Sequence, residues 1–437
     1  MDNTKTQRLW NRDFFLLVFG QIVSIFGNMV LSFALPLYIL DISESAAMYG
    51  FVLAVPYISL ILLSPIGGIL ADRLKKQRIM FWLDATTTVI IVLYMIASGL
   101  IAAAVPLVIV KLLALNAIQA LYMPAVQAAV PSLVITEKLV PANSVTQMVN
   151  MFSSMVGMAV AGVLYERFGL FPILIVSAVC FAVTAVMDLL IRIPYSKPDN
   201  TGSVTQIVKS DLSQSAKFAV KEKPIISKCA FIGFFIQLSV VPMVVVGIPV
   251  LVTQHLDYGM DMVGYSQSIM MIGGLMGGIA AGTLGARLTI KKLPLILFIA
   301  CMLFGLIGLP FLFAVPSFAA YVFLTATTAL AMAAVQLVSI PLFAFIQAET
   351  PSDLIGKVMS LFVILPFVAT AIGSLIYGVL FEWFEAVPWV VVFGTILLSC
   401  MVVLYARGQF RKIAVSGPEE TAVDVSEKST LENTKGE

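Results

Sequence analysis

The chain is short of the residues that keep a protein in water. Only 11% of its 437 residues are charged, against about 25% in an ordinary soluble domain. It holds one histidine, His255, and four cysteines, Cys180, Cys229, Cys301 and Cys400. These shortages exclude whole classes of function. One histidine and no nucleophile with a partner base leave no catalytic constellation, so no enzyme is expected. The cysteines lie in apolar sequence without metal-ligand spacing and read as small packing residues, so no metal or cofactor is expected. The formal net charge is only +2, and no nucleic-acid partner is expected. The start, "MDNTKTQRLWNRDFF", is polar, and the apolar segment after it is too long for a secretory signal.

What the chain has instead is apolar length. Its composition is 60% hydrophobic and its mean hydropathy +1.02. Stretches of about 20 residues recur, the length a helix needs to cross a bilayer. Twelve are expected, roughly at 14–40, 48–71, 79–101, 105–130, 143–164, 171–191, 225–253, 262–286, 293–313, 317–346, 357–380 and 388–406. Prolines inside several of them allow bends.

The few charges are sorted by side. With the N-terminus placed in the cytoplasm, 24 of the 26 Lys and Arg fall in cytoplasmic segments, Arg167 alone lies outside, and Lys111 lies within the fourth span. That bias is the positive-inside pattern, and it puts both termini in the cytoplasm.

The sequence is also written twice. "GVLYERF" at 162–168 returns as "GVLFEWF" at 378–384, and at the same offset Gly157 matches Gly373. "GILADRLKK" at 68–76 returns as "GTLGARLTIKK" at 282–292, with Ala286 where the first copy has Asp72. The expected organisation is a cytoplasmic N-terminal arm (1–13), a six-helix bundle (14–191), a cytoplasmic hydrophilic linker (192–224), a second six-helix bundle (225–406) and a cytoplasmic disordered tail (407–437). The linker reads as a flexible stretch followed by a short amphipathic helix. Paired six-helix halves are the plan of an alternating-access transporter, with a binding site near midplane.

"GGILADRLKKQR" at 67–78 resembles the signature loop between helices 2 and 3 of the major facilitator superfamily. Three further stretches are similar to its branch of macrolide-efflux (Mef-type) proteins, the enterobactin exporter and related drug:proton antiporters. They are "FFLLVFGQIVSIFGNMVLSFALPLYI", "YMPAVQAAVPSLV" leading into "LVPANSV", and "TPSDLIGKVMSL". The resemblance implies an all-α membrane protein of twelve helices in two pseudo-symmetric bundles, working as a multidrug efflux antiporter in the plasma membrane. It implies that Gly67, Gly68, Asp72, Arg73, Lys76 and Arg78 form a latch with the start of helix 11 at Gly356, and that Arg287 is the second copy's counterpart. A helix N-terminus favours a carboxylate such as Asp72.

The resemblance also places helices 1, 4, 7 and 10 around the cavity. Their polar and aromatic residues are Gln21, Ser24 and Asn28; Asn116, Gln119 and Tyr122; Phe234 and Gln237; and Thr328, Met332 and Gln336. Amides and hydroxyls among aromatic and Met side chains suit a bulky, weakly charged amphiphile. Ionisable residues inside a membrane are costly and so are functional candidates. Asp84 and Lys111 are the coupling candidates, although the bland expectation pairs Asp84 with the basic loop before it and has Lys111 reach out to Asp41 or Glu44. Asp188 is expected to pair with Arg192. Glu166 and Glu382, twins in the repeat, are expected at the outer rim. Partners are then a hydrophobic small molecule, membrane lipid and protons, with the protein a monomer. Alternatives within the same fold are a siderophore or lysophospholipid cargo, or a facilitator without proton coupling.

Overall fold

The computed structural model describes residues 9–100, 104–135, 138–193, 223–284, 292–313, 315–350 and 355–416. Among them there is no strand, and twelve membrane-length helical spans follow one another. They are α1 (Arg12–Ser43), α2 (Ala46–Ala54 and Pro56–Arg73), α3 (Lys76–Leu100), α4 (Ala104–Leu133), α5 (Leu139–Phe168) and α6 (Leu170–Leu190), then α7 (Pro224–Pro242, continuing to His255), α8 (Met260–Leu284), α9 (Leu293–Leu306 and Leu309–Leu312), α10 (Ser317–Glu349), α11 (Ile355–Trp383) and α12 (Trp389–Ser416). All twelve expected spans are present. Eleven are both long and apolar enough to cross a bilayer; α8 has the length but is diluted by glycine, serine and glutamine. Most of the expected linker, residues 194–222 with its amphipathic segment, lies outside the described residues, as do 285–291 and 417–437.

Local chemistry sets the helix ends. The Asn11 side chain accepts the Phe14 N–H (2.8 Å), capping α1, and donates to the Leu133 carbonyl at the end of α4 (2.8 Å). Ser45 caps α2 by accepting from Met48 N–H (3.1 Å). Such caps satisfy the free N–H groups of a first turn. Proline shapes the interiors. Pro56 restarts α2 after Val55, and α7 loosens into π-helical turns at Met243–Gly247 and Leu251–His255, beside Pro242 and Pro249. A proline removes a backbone donor and crowds the preceding turn, which displaces the regular ladder.

The two halves pack by one plan. In the first, α1 packs on α5 and α6, α3 on α6, and α4 on α2 and α3. In the second, α7 packs on α11 and α12, α9 on α12, and α10 on α8 and α9. The sequence repeat is therefore a structural repeat. With an even number of spans, the start of α1 and the end of α12 share one face with the turn holding Arg73, Lys75, Lys76 and Arg78. We call it the basic face.

Small residues permit the closest approaches inside each half, as in other membrane bundles. A side-chain carbon at Gly67 of α2 would strike the Ala120 carbonyl of α4; at Gly273 and Gly277 of α8 it would strike the Ala329 and Ala333 carbonyls of α10. Gly282 has nothing within 4 Å. Gly277→Val should therefore cost about 1–3 kcal/mol through overpacking, seen as a lower melting temperature or a lost monodisperse peak in detergent. Gly282→Ala should leave both unchanged.

Candidate functional site

The halves touch through two symmetry-related pairs, α2 with α11 and α5 with α8. At the face opposite the basic one these contacts are backbone on backbone. A carbon added to Gly50 would strike the Ser374 carbonyl, and one added to Gly378 would lie 2.7 Å from the Ala46 carbonyl. Across the other pair, a carbon added to Gly162 would lie 2.7 Å from the Met260 carbonyl, and one added to Gly264 would lie 2.8 Å from the Met158 carbonyl. The inner glycines of the repeat work within the halves: Gly157 admits Met29 of α1, and Gly373 admits Pro242 of α7. One glycine of each repeat thus binds a half together, and the other brings the two halves into contact.

The twin glutamates complete this seam. Glu166, at the end of α5, accepts the Met260 N–H at the start of α8 (2.7 Å). Glu382, at the end of α11, accepts the Ala47 N–H (2.9 Å) and the Ser45 hydroxyl at the start of α2. Each carboxylate caps the first turn of a helix belonging to the other half, where free N–H groups and the helix dipole favour negative charge. Further hydrogen bonds cross nearby. Ser268 donates to the Met155 carbonyl (2.9 Å), Tyr49 to the Val245 carbonyl (3.1 Å) and Gln254 to the Glu44 carbonyl (3.0 Å). Sequence reading placed the glutamates at this rim but gave them no partners.

The basic face is described less fully. Asp72 lies in the last turn of α2 and Gly356 in the first turn of α11, but the Asp72 side chain is outside the described residues, as are Arg287 and residues 351–354. Arg73 and Lys76 are half-buried and Arg78 is exposed. Gly67 presses on α4, whereas Gly68 has open space beside it. A cavity of about 460 Å³, lined by Leu70, Leu74, Arg78, Trp82 and Leu121 among others, lies within this half and touches none of the expected cargo residues.

The residues expected around the cargo fall into two groups. Gln21, Ser24, Tyr122 and Thr328 are buried between helices, and Thr328 spends its hydroxyl on the Leu324 carbonyl (2.7 Å). Asn28, Asn116, Gln119, Phe234, Gln237, Met332 and Gln336 are half-buried, as wall residues are. Asn116 donates to the Leu112 carbonyl (2.9 Å) and keeps its side-chain oxygen for another partner.

The ionisable residues inside the spans depart from expectation. Lys111 does not reach outward: it is 2% exposed, its Nζ lies 4.1 Å over the Tyr94 ring, and Tyr165 donates to Asp41 instead (2.8 Å). The ring face stabilises a cation that has left water. Asp188 does not pair with Arg192, which is exposed and gives its backbone N–H to Asp13 (3.1 Å). Asp84 is buried rather than turned to the loop before it, and one oxygen of each aspartate has no hydrogen-bond partner. The sequence hinted at this only through their depth in apolar runs.

Residues 17–374 match the Major Facilitator Superfamily. The chain belongs to that superfamily. It is a multi-pass membrane transporter. It is 20% identical over 409 residues to Macrolide efflux protein A of Streptococcus pyogenes, covering 92% of this chain and 98% of that protein. Its fold matches the nucleoside transporter NupG at TM-score 0.73 and 14% identity, over 90% of this chain and all of that one. It matches a bacterial homolog of the human lysosomal transporter Spinster at 0.70 and 15%, over 91% and 96%. A bacterial homologue of the iron transporter ferroportin follows at 0.65 and 19%, over 90% and 98%.

Neutralising both caps should loosen the seam of this transporter. Each carboxylate at a helix start contributes about 0.3–1 kcal/mol, so Glu166→Gln with Glu382→Gln should raise the labelling rate of a cysteine at Ser268 several-fold. The measurement uses a membrane-impermeant maleimide in a background without the four native cysteines. An unchanged rate would show that the caps do not hold the seam.

Proposed function

We propose that this transporter exports bulky hydrophobic or amphiphilic compounds across the plasma membrane by alternating access, driven by protons. The basic face is cytoplasmic in this reading, because 24 of the 26 Lys and Arg belong to it. The seam then closes the outer side. The observation that carries the proposal is that amide, aromatic and Met side chains on α1, α4, α7 and α10 are half-buried, as the lining of a cargo wall would be. Such a wall recognises an apolar body with a few hydrogen-bonding groups. An organic phosphate would need paired arginines, which these positions lack. The relationship to a macrolide efflux protein along nearly the whole chain supports the same cargo class.

Asp72, with Arg73, serves as the cytoplasmic latch in this reading. When the outer seam opens, the α2 end meets the first turn of α11, and the carboxylate gains there what Glu166 and Glu382 have on the other face.

The test is a drug panel on cells with and without the transporter. Expression should raise the inhibitory concentration of macrolide-type and other bulky amphiphilic compounds several-fold. Asp72→Asn should abolish the gain while the protein still reaches the membrane. No shift for any such compound, or full resistance in Asp72→Asn, would contradict the cargo class or the latch respectively.

A further inference from the structure

We propose that Asp84 and Asp188 form a shared proton site inside the N-terminal half. The proposal deepens the reading that transport is proton-driven and identifies the group that takes the proton. Asp84 on α3 and Asp188 on α6 are 2% and 1% exposed, and α3 packs along α6. The two acids stand at similar depth: the Gln77 side chain at the start of α3 accepts the Ile193 N–H just beyond α6 (3.0 Å), Asp84 lies about two turns inward of Gln77, and Asp188 lies in the last turn of α6. Oδ2 of each aspartate is buried without a hydrogen-bond partner. Among the described residues the buried basic side chain of this half is Lys111, and it lies against Tyr94, not against either acid.

Two carboxylates withdrawn from water beside each other cannot both stay charged without a cation, and a proton shared between them is the least demanding one. It binds as one carboxylate becomes a carboxylic acid, and it leaves by the reverse step to water. A metal ion would need further oxygen ligands, and no group of three or more acids, histidines or cysteines is assembled among the described residues.

The exit is built from the chain's own connections. Phe14, Met80 and Ile191 belong to the apolar cluster that also holds Tyr122. The segment after α6 is pinned at two points, Arg192 N–H to Asp13 (3.1 Å) and Ile193 N–H to the Gln77 side chain (3.0 Å). This segment leads directly into the linker between the halves. Displacing Ile191 would admit water from the basic face.

The experiment is infrared difference spectroscopy of the full-length protein in liposomes at neutral pH, reading the C=O stretch of protonated carboxyl groups. Wild type should show such a band, shifted by exchange into heavy water. It should change in Asp84→Asn and in Asp188→Asn, and disappear in the double variant. The Asn variants are isosteric, and a monodisperse peak confirms folding. A band indifferent to all three variants, or displaced by sodium at constant pH, overturns the site. Substrate-dependent proton movement is measured alongside in wild-type liposomes. Its absence with the bands intact would sink the proton drive and leave the site standing.

Discussion

Everything else in this transporter depends on how closely four helices meet across its middle. At one face, α2 against α11 and α5 against α8 come together with glycine on glycine, so that backbone touches backbone. Contacts of that kind leave no side chain to give way, and the halves are either seated or apart. The carboxylates of Glu166 and Glu382 then add charge to geometry, each capping the first turn of a helix in the other half. A seam made of two equivalent contacts would also part as a unit, since opening one pair without the other would strain the rest.

The repeat is faithful in packing and unfaithful in chemistry. Helix for helix, the two halves bury the same neighbours. Yet among the described residues the fully buried acidic and basic side chains, Asp84, Lys111 and Asp188, all lie in the first half. The second copy of the signature loop has Ala286 where the first has Asp72. One half has kept the costly groups, and a buried charge is kept in a membrane bundle when it does work there.

The fold was legible because a bilayer leaves so little choice. Twenty apolar residues must be a helix there, and the basic loops gave the same count of spans from a separate property. The repeat was legible too: "GVLYERF" and "GVLFEWF" fall at equivalent ends of α5 and α11. What sequence did not disclose was partnership. The π-helical turns of α7 follow from prolines whose effect depends on the neighbouring turns. Lys111 was expected to reach for an acid because charge seeks charge in water; inside the bundle the Tyr94 ring was nearer. Asp188 stands four residues from Arg192, which suggested a pair, but α6 ends between them at Leu190 and the chain turns away. Glu166 and Glu382 read as rim residues from their place at the outer ends of their spans, but their partners are backbone N–H groups, which leave no mark in the alphabet of side chains.

The central claim is that the glycine seam and the basic face open in alternation. Spin labels placed in pairs across each face, one pair joining the starts of α2 and α8 to the ends of α11 and α5 and the other joining the α2–α3 turn to the start of α11, measure this directly by pulsed electron resonance. The account predicts opposite changes: conditions that lengthen the distance across the glycine seam shorten the one across the basic face. Distances that lengthen together, or a seam that never opens while cargo is transported, would contradict it.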